Sequence, residues 1–445
     1  PKLKIQAWHF ILENLVHNTQ LLKQSTDWNR HFSASSMSST VFQPYRLSAA
    51  AAGTPFLDGY STGSAAFLIL MIPGLTAWEM GAFASLYLLT FSVGAIVFGW
   101  LADHFGRRRL FAGSMLCFAL VTLFCAAFLS LKNGPDAALG YAPILALLAL
   151  RGVTGLLLGG DYPVGQALVA ELIPAKDRAR HLSLLMFGWY AGALFAVLIS
   201  WPLRAFDLPW LSFLWIQALL AIFFWFGRRS VPESAAWSEA RCAANSSNRK
   251  AAHGIFAEEG TLTAFLFCTV FWLCQTIPAT VLMFYSTKIL SGFLDTESTF
   301  IQVLLLYGCF FIGVLPSPHP ALAKRPKAVL IGTFFLMAFA LGIIALGQDI
   351  HSSVLMGSAF ILFALAYGLQ TPLDFVFPNK LFPAGSRARL VGLTTTISRI
   401  GSMGAAFAFP LLSESFSVES LFWAGCAFLL FGASFSWKNA QQDAY

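Results

Sequence analysis

Gly99-Trp-Leu-Ala-Asp103-His-Phe-Gly106-Arg107-Arg108-Arg109 is the stretch that decides the fold. It places an aspartate and three consecutive arginines between two apolar runs, near 78–101 and 110–131. Each run is about 20 residues or longer, which is the length needed to cross a hydrocarbon core of about 30 Å. A short basic loop between two such runs is typical of the cytoplasmic side of a multi-pass membrane protein.

The composition of the whole chain supports the same interpretation. Of the 445 residues, 57% are hydrophobic and 11% are charged, and the mean hydropathy is +0.68. A soluble domain carries about 25% charged residues, so we expect lipid to face much of this surface. The net charge of +7 is dispersed over short loops, which predicts no nucleic-acid partner.

Apolar runs bounded by loop signals predict an all-α membrane protein with twelve transmembrane helices. The predicted spans lie near 48–74, 78–101, 110–131, 141–172, 182–203, 209–227, 261–286, 298–316, 328–347, 353–378, 389–412 and 417–437. We therefore predict a cytoplasmic extension (1–46), a six-helix bundle (47–228), a cytoplasmic linker (229–259), a second six-helix bundle (260–438) and a tail (439–445).

The basic residues predict the orientation. With both termini in the cytoplasm, all but five of the 28 lysines and arginines fall on cytoplasmic segments. Lys132, Arg204 and Lys288 fall on the opposite side, and Arg151 and Arg399 fall within spans. An error in the number of spans would invert every later loop, so this asymmetry favours twelve.

The chain contains an internal repeat. ELIPAKDRAR (171–180) matches KLFPAGSRAR (380–389) at an offset of 209, with six of ten positions identical. Both stretches follow a span on the basic side, which predicts two duplicated halves of the kind that rock about a central site in transporters. The offset aligns Asp161 with Gln370, so the first half keeps an acid where the second has an amide.

The 99–109 loop resembles the signature loop of the major facilitator superfamily in its residue types, its spacing and its position after the second span. The resemblance implies the two-bundle major facilitator fold. It also implies a cytoplasmic gate, which we assign to the following residues: Gly99, Asp103, Gly106, Arg107, Arg108, Arg109, Glu171 and Arg178. The alternative is a basic loop that only sets the topology.

Further stretches resemble the proton symporters of metabolites, organic acids and phosphate, and the related sugar porters. These are the fourth span from Arg151 to Pro174, LDGY (57–60) and PESAAW (232–237). Two positions depart from that branch: Ser61 stands where a second acid is common, and Lys380 stands where a glutamate is usual.

Ionisable residues at membrane depth are costly and are therefore functional candidates. Asp161 and Asp58 lie about ten residues or more inside the fourth and first spans, which places both some 15 to 18 Å deep. We predict Asp161 as the main proton carrier and Asp58 as the second candidate. A fixed structural partnership with an arginine is the alternative for either one.

The predicted contacts to the substrate are polar or aromatic side chains within the spans: Arg399, Arg151, Gln275, Gln370, Trp189 and Tyr190. Arg399 lies near the midplane, where a guanidinium can bind a carboxylate or phosphate through two hydrogen bonds. Arg151 has an equally good structural interpretation. Asp374, in the tenth span, has no partner that the sequence identifies.

We predict a secondary transporter of a small metabolite, an organic anion, coupled to protons. Drug or metabolite efflux and uncoupled sugar or metabolite facilitation are alternatives. We expect no enzyme activity, because no catalytic motif is evident, and the scattered cysteines predict no metal site or cofactor. The expected partners are the substrate, protons and the bilayer, for a monomer in the bacterial cytoplasmic (inner) membrane.

Overall fold

The computed structural model describes residues 44–72, 77–132, 140–246, 255–256, 258–290, 299–350 and 352–439. Every regular element in these ranges is a helix. Most of the predicted N-terminal extension and nearly all of the C-terminal tail lie outside the described residues.

The first half contains six long helices and a shorter one in the linker. They are α1 (Pro44–Met71), α2 (Ala77–Phe105), α3 (Arg107–Lys132), α4 (Tyr141–Leu172), α5 (Ala175–Ala205), α6 (Ser212–Arg228) and the linker helix α7 (Ala235–Ser246).

The second half repeats this plan with two additions. Its helices are α8 (Thr261–Leu290), α9 (Thr299–Val314), the single turn α10 (Pro320–Ala323), α11 (Pro326–Ile350), α12 (Ser353–Gln370), α13 (Leu373–Leu381), α14 (Arg387–Ser415) and α15 (Val418–Asn439). The tenth span is therefore two helices, α12 and α13, broken at Thr371 and Pro372, because proline cannot donate the backbone hydrogen bond that would continue α12.

The twelve predicted spans are confirmed, with ends that differ by a few residues. Eight segments within the described ranges are long and apolar enough to cross a membrane by themselves, and Ser212–Arg228 and Val303–Val314 are shorter apolar helices. Shorter or polar spans depend on neighbouring helices to cover their polar groups. The orientation of the termini and the domain boundaries stay predictions.

Helix packing follows the internal repeat. In the first half α1 packs on α5 and α2 on α4, and the equivalent helices of the second half, α8 with α14 and α9 with α12, pack in the same way. The halves meet through α2 against α14 and α5 against α9. The repeat makes α2 equivalent to α9 and α5 equivalent to α14, so each of these contacts is the counterpart of the other, as expected for two duplicated bundles.

Small residues allow the close approach of α1 and α5. A Cβ on Gly59 would lie 1.9 Å from the carbonyl oxygen of Trp189, and one on Gly192 would lie 1.9 Å from that of Phe56. Glycine is required wherever two backbones touch so closely. This contact brings the Trp189 side chain to the acid that precedes Gly59.

Candidate functional site

Asp58 of α1 is buried, with 2% of its surface exposed. Its carboxylate accepts hydrogen bonds from the hydroxyl of Tyr87 at 2.5 Å, the hydroxyl of Tyr162 at 2.7 Å and Nε1 of Trp189 at 2.8 Å. The three donors come from α2, α4 and α5. Helices that are far apart in sequence therefore converge on one carboxylate, which they hold in a defined orientation.

Arg399 approaches the same carboxylate from the second bundle. Its Nη2 lies 3.5 Å from Oδ2 of Asp58, and 26% of its side chain is accessible. The guanidinium also lies 4.8 Å from the centre of the Phe91 ring, while its Nε has no hydrogen-bond partner among the described residues. Arg399 thus links the bundles and keeps donors available for a further acceptor.

Arg151 lies within the first bundle, without a carboxylate partner among the described residues. Its Nη1 donates to Oγ of Ser61 at 2.7 Å, and its Nε donates to the carbonyl oxygen of Phe83 at 3.3 Å. The guanidinium also stacks between the rings of Phe83 at 4.5 Å and Tyr87 at 4.3 Å. Tyr87 therefore contacts both Arg151 and Asp58.

Asp161 belongs to a different cluster from Asp58. Its carboxylate accepts from Ser114 at 2.5 Å and from Thr54, and it forms an ion pair with Arg228 at 2.7 Å. Arg228 is fully buried and also donates to the carbonyl oxygen of Phe111 at 2.8 Å. The predicted proton carrier therefore has a dedicated internal cation, and its role in coupling stays a prediction.

The predicted glutamines lie in the second bundle, where both are fully buried. Gln275 donates through Nε2 to Oδ1 of Asp374, while its Oε1 has no partner among the described residues. Neither Oε1 nor Nε2 of Gln370 has one. The structure thus brings Asp374, which the sequence left without a partner, next to Gln275.

Aromatic rings line the boundary between the bundles. The Trp189 ring lies 6.2 Å from that of Tyr307, and the Tyr190 ring lies 5.6 Å from that of Phe310. The hydroxyl of Tyr190 also donates to Oγ1 of Thr371 at 3.2 Å. Both predicted aromatic residues therefore contact the second bundle beside the break between α12 and α13.

Asp103 connects the signature loop to the second bundle. Its carboxylate pairs with Arg107 at 3.1 Å and with Nε of Arg389 at 3.1 Å, and it also accepts from the backbone N–H of Arg389 at 3.1 Å. Gly99 permits this approach, since a Cβ there would lie 2.7 Å from the carbonyl oxygen of Ala388.

Glu171 makes a second link across the same end of the molecule. It pairs with Arg107 and with Arg387 of the second bundle at 2.7 Å, and it accepts from Ser234 at 2.5 Å. Arg107 also donates to the carbonyl oxygen of Ala384 at 2.9 Å. These contacts hold the two bundles together at the end that the basic loops predict to be cytoplasmic.

The linker also contacts the signature loop. The Glu233 carboxylate accepts from the backbone N–H of Arg107 at 3.0 Å and from that of Arg108 at 3.2 Å. Gly106 adopts φ +97° beside it, a conformation that favours glycine. Arg178 is half-buried, whereas Arg108 and Arg109 are exposed. Neither exposed arginine forms an ion pair within the described ranges, so these two predicted gate residues do not join the bundles.

Several residues of these clusters were missed from the sequence. Arg387 and Arg389 were counted only as determinants of topology, although the repeat aligns Arg387 with the gate candidate Arg178. Arg228 was missed because it stands beside Arg229 at the boundary of the linker. The donors Tyr87 and Tyr162 could not be separated from the many other aromatic residues of the chain.

Comparison with known proteins gives a consistent result. The family model described as Major Facilitator Superfamily matches residues 51–406. The inner membrane metabolite transport protein YgcS of Escherichia coli is 27% identical over 424 residues, which cover 89% of this chain and 91% of that protein. The putative niacin/nicotinamide transporter NiaP of Bacillus subtilis is 27% identical over 384 residues, covering 84% and 90%.

Among solved structures, the proton:xylose symporter XylE bound to 6-bromo-6-deoxy-D-glucose matches with a TM-score of 0.74. The match covers 89% of this chain and 96% of XylE, at 16% sequence identity. A likeness at this identity shows that the two chains share a fold.

Proposed function

Because this chain belongs to the major facilitator superfamily, we propose that it is a secondary active transporter that moves a small ring-containing organic anion together with a proton, by alternating access. The chain is a multi-pass membrane transporter of metabolites and not an enzyme. Its relatives include an inner-membrane transporter of Escherichia coli. The nature of the cargo and the coupling to protons are our proposals.

The observation that carries the proposal is the ion pair between Asp58 and Arg399, which joins the two bundles at 3.5 Å. A charge at membrane depth is retained when it has a function or a partner. Here each partner belongs to a different bundle, so the pair is made and broken as the bundles move.

We propose that Asp58 carries the proton and that Arg399 binds the anion. When a proton binds Asp58, the carboxyl group becomes neutral and its attraction for Arg399 is lost. The cargo carboxylate then takes its place, through the two parallel hydrogen bonds that a guanidinium offers. After the cargo leaves, Asp58 releases its proton and pairs with Arg399 again, so one proton accompanies each anion.

Asp161 is the less favourable carrier, because it already pairs with Arg228 at 2.7 Å inside one bundle. Both members of that pair belong to the first bundle and can move as one body with it.

The aromatic rings support a ring-shaped cargo. Trp189 and Tyr190 of α5 face Tyr307 and Phe310 of α9, and pockets for small molecules combine such walls with a few polar groups. A related protein is named as a putative niacin/nicotinamide transporter. Nicotinate has both a flat ring and a carboxylate, so we choose it as the first compound to test.

The test uses purified protein in proteoliposomes with an imposed pH gradient. We expect nicotinate or benzoate to accumulate inside the vesicles when the outside is more acidic. We expect Asp58→Asn to abolish this accumulation but to retain exchange of cargo when the pH is equal on both sides of the membrane. We expect Arg399→Ala to weaken binding of these carboxylates by at least about tenfold, since hydrogen bonds between charged groups contribute about 1.5–3 kcal/mol. The exposed Asp207 provides a control, Asp207→Asn.

Accumulation by Asp58→Asn at the parental rate would contradict the assignment of the carrier. An uncoupled facilitator is the second candidate, and one observation favours it: Arg151 has the neutral Ser61 as its partner, where related symporters commonly carry a second acid. Uptake that stops at equal concentrations under a pH gradient would establish that alternative. Transport of cargo only away from the face of the protein that is predicted to be cytoplasmic would establish efflux.

A further inference from the structure

Asp374 is a buried carboxyl group that the proposed mechanism does not use. It is 2% exposed, and its hydrogen bond from Gln275 is a contact with a neutral group. No lysine, arginine or histidine forms an ion pair with it in the described ranges. A buried carboxyl group usually pairs with a cation or several donors. Here, among the described residues, it has one neutral donor, Gln275.

The two neighbouring amides are also incompletely satisfied. Oε1 of Gln275 and both polar atoms of Gln370 lack a partner among the described residues, and both side chains are fully buried. Buried polar atoms are nearly always hydrogen-bonded in folded proteins. Gln275 contacts the acid directly, and Gln370 precedes it by four residues at the end of α12. These unsatisfied atoms indicate a site that is completed by a bound molecule.

The internal repeat shows how the surroundings of Asp374 differ from those of Asp161. The offset of 209 aligns Asp161 with Gln370 and its cation Arg228 with Trp437. Asp161 is neutralised by Arg228, whereas Trp437 is 67% exposed and offers no charge. The second bundle thus has an acid four residues after the position equivalent to Asp161, and no cation pairs with it in the described ranges.

The position of Asp374 connects it to the proposed cargo site. It lies in the first turn of α13, directly after the helix break, and Thr371 in that break accepts a hydrogen bond from Tyr190 of the first bundle. The backbone N–H of Asp374 donates to the carbonyl oxygen of Thr371 at 3.1 Å. The ring of the next residue, Phe375, lies 5.8 Å from that of Tyr162, which donates to Asp58. Asp374 is therefore adjacent to residues that contact the aromatic rings and the Asp58 carboxylate of the proposed cargo site.

We propose that Asp374, Gln275 and Gln370 form a second cargo subsite, which accepts a hydrogen bond from an N–H or O–H group at the end of the cargo remote from its carboxylate. The inference rests on the proposed function. It predicts that ring compounds with both an anionic group and a hydrogen-bond donor bind more tightly than nicotinate or benzoate, which occupy only the anion site. The carboxylate accepts from the donor, and the two glutamines contact the atoms around it.

The donor requirement is tested with pairs of compounds of similar shape. Binding of 3- and 4-hydroxybenzoate to the purified full chain is compared with binding of the corresponding methoxybenzoates, which cannot donate. We expect the hydroxy compound of at least one pair to bind about tenfold or more tightly, as for a hydrogen bond to a charged group. Equal affinity within both pairs would overturn the proposal, and this comparison needs no variant to fold.

Variants then locate the subsite. We expect Asp374→Asn and Gln370→Met each to reduce the preference for the hydroxy compound to about threefold or less, while the affinity for benzoate itself is retained. We expect Asp207→Asn, in an exposed position, to leave the preference unchanged. Equal losses for both members of a pair would assign Asp374 a structural role and contradict the subsite.

A separate pair distinguishes this inference from the proposed function. Nicotinamide carries an amide N–H and N,N-dimethylnicotinamide does not, and neither carries a carboxylate. If no benzoate binds but nicotinamide binds more tightly than its dimethyl analogue, the anion site at Arg399 is wrong and the donor subsite stands. If benzoates bind without any preference for a donor, the donor subsite is wrong and the anion site stands.

Discussion

The side chains of Asp161 and Arg228 form an ion pair that is fully enclosed by the first bundle. Thr54 and Ser114 also donate to the carboxylate, and the guanidinium lies 3.9 Å from the centre of the Phe111 ring. Groups from α1, α3, α4 and α6 are thereby tied together. The sequence left a structural partnership with an arginine open for Asp161, and the geometry identifies that arginine as Arg228.

This pair predicts the behaviour of a double-mutant cycle. Asp161→Asn leaves Arg228 buried without its anion, and Arg228→Met leaves the carboxylate without its cation. Breaking a buried ion pair on one side costs about 3–5 kcal/mol, whereas removing both charges costs much less. We therefore expect each single variant to unfold at a clearly lower temperature in detergent, and the double variant to recover a large part of the loss.

The control for this cycle is Asp207→Asn, which removes an acid at the surface. Losses that simply add in the double variant would show that the two side chains do not stabilise each other. In that case Asp161 would regain its standing as a candidate for the proton carrier.

Contacts between helices decide which side chains meet at Asp58. The helices α1 and α5 touch through Gly59 and Gly192, and this approach places Nε1 of Trp189 2.8 Å from the Asp58 carboxylate. Neither helix carries that information alone, because the hydrogen bond exists only when the two backbones are in contact.

Gly192→Ala tests the importance of this helix contact. The new Cβ would lie 1.9 Å from the carbonyl oxygen of Phe56, so the helices have to separate. Overpacking of this kind costs about 1–3 kcal/mol or more. We expect a lower unfolding temperature and a reduced rate of uptake.

Gly113→Ala is the matched control, since a Cβ at that position in α3 would meet no atom within 4 Å. It should preserve both the unfolding temperature and the uptake rate. Normal stability and transport in Gly192→Ala would contradict the close contact between the backbones of α1 and α5.

On the scale of the whole molecule, the two bundles are joined at the end predicted to be cytoplasmic. Ion pairs from Asp103 and Glu171 reach Arg389 and Arg387 of the second bundle. Farther inward, Oγ1 of Thr396 donates to the carbonyl oxygen of Ser92 at 2.9 Å. Alternating access requires that these contacts separate during each cycle.

Crosslinking Ser92 of α2 to Thr396 of α14 should therefore stop transport. In a chain whose native cysteines are replaced, we expect Ser92→Cys combined with Thr396→Cys to react with a short bifunctional thiol reagent, and uptake to cease because the bundles cannot separate. A cleavable reagent allows uptake to return after reduction. Either single cysteine variant should keep its uptake after the same treatment.

Adding Glu171→Gln to the double-cysteine variant weakens the ion pairs between the bundles, because Arg107 and Arg387 lose their shared carboxylate. We expect the closed state to be less populated and the crosslink to form more slowly in this background. Full transport by the crosslinked double-cysteine variant would contradict a closure of this end during the cycle.

The sequence by itself determined that the chain spans the membrane twelve times in two related halves, because long uncharged segments have no other stable environment and basic loops follow them in alternation. It also identified charged residues within these spans, including Asp58, Asp161 and Arg399. Only the tertiary structure decided their partners: Arg399 for Asp58 and Arg228 for Asp161. The physical reason is that hydropathy is a property of each segment alone, whereas an ion pair depends on how helices distant in sequence are placed against each other.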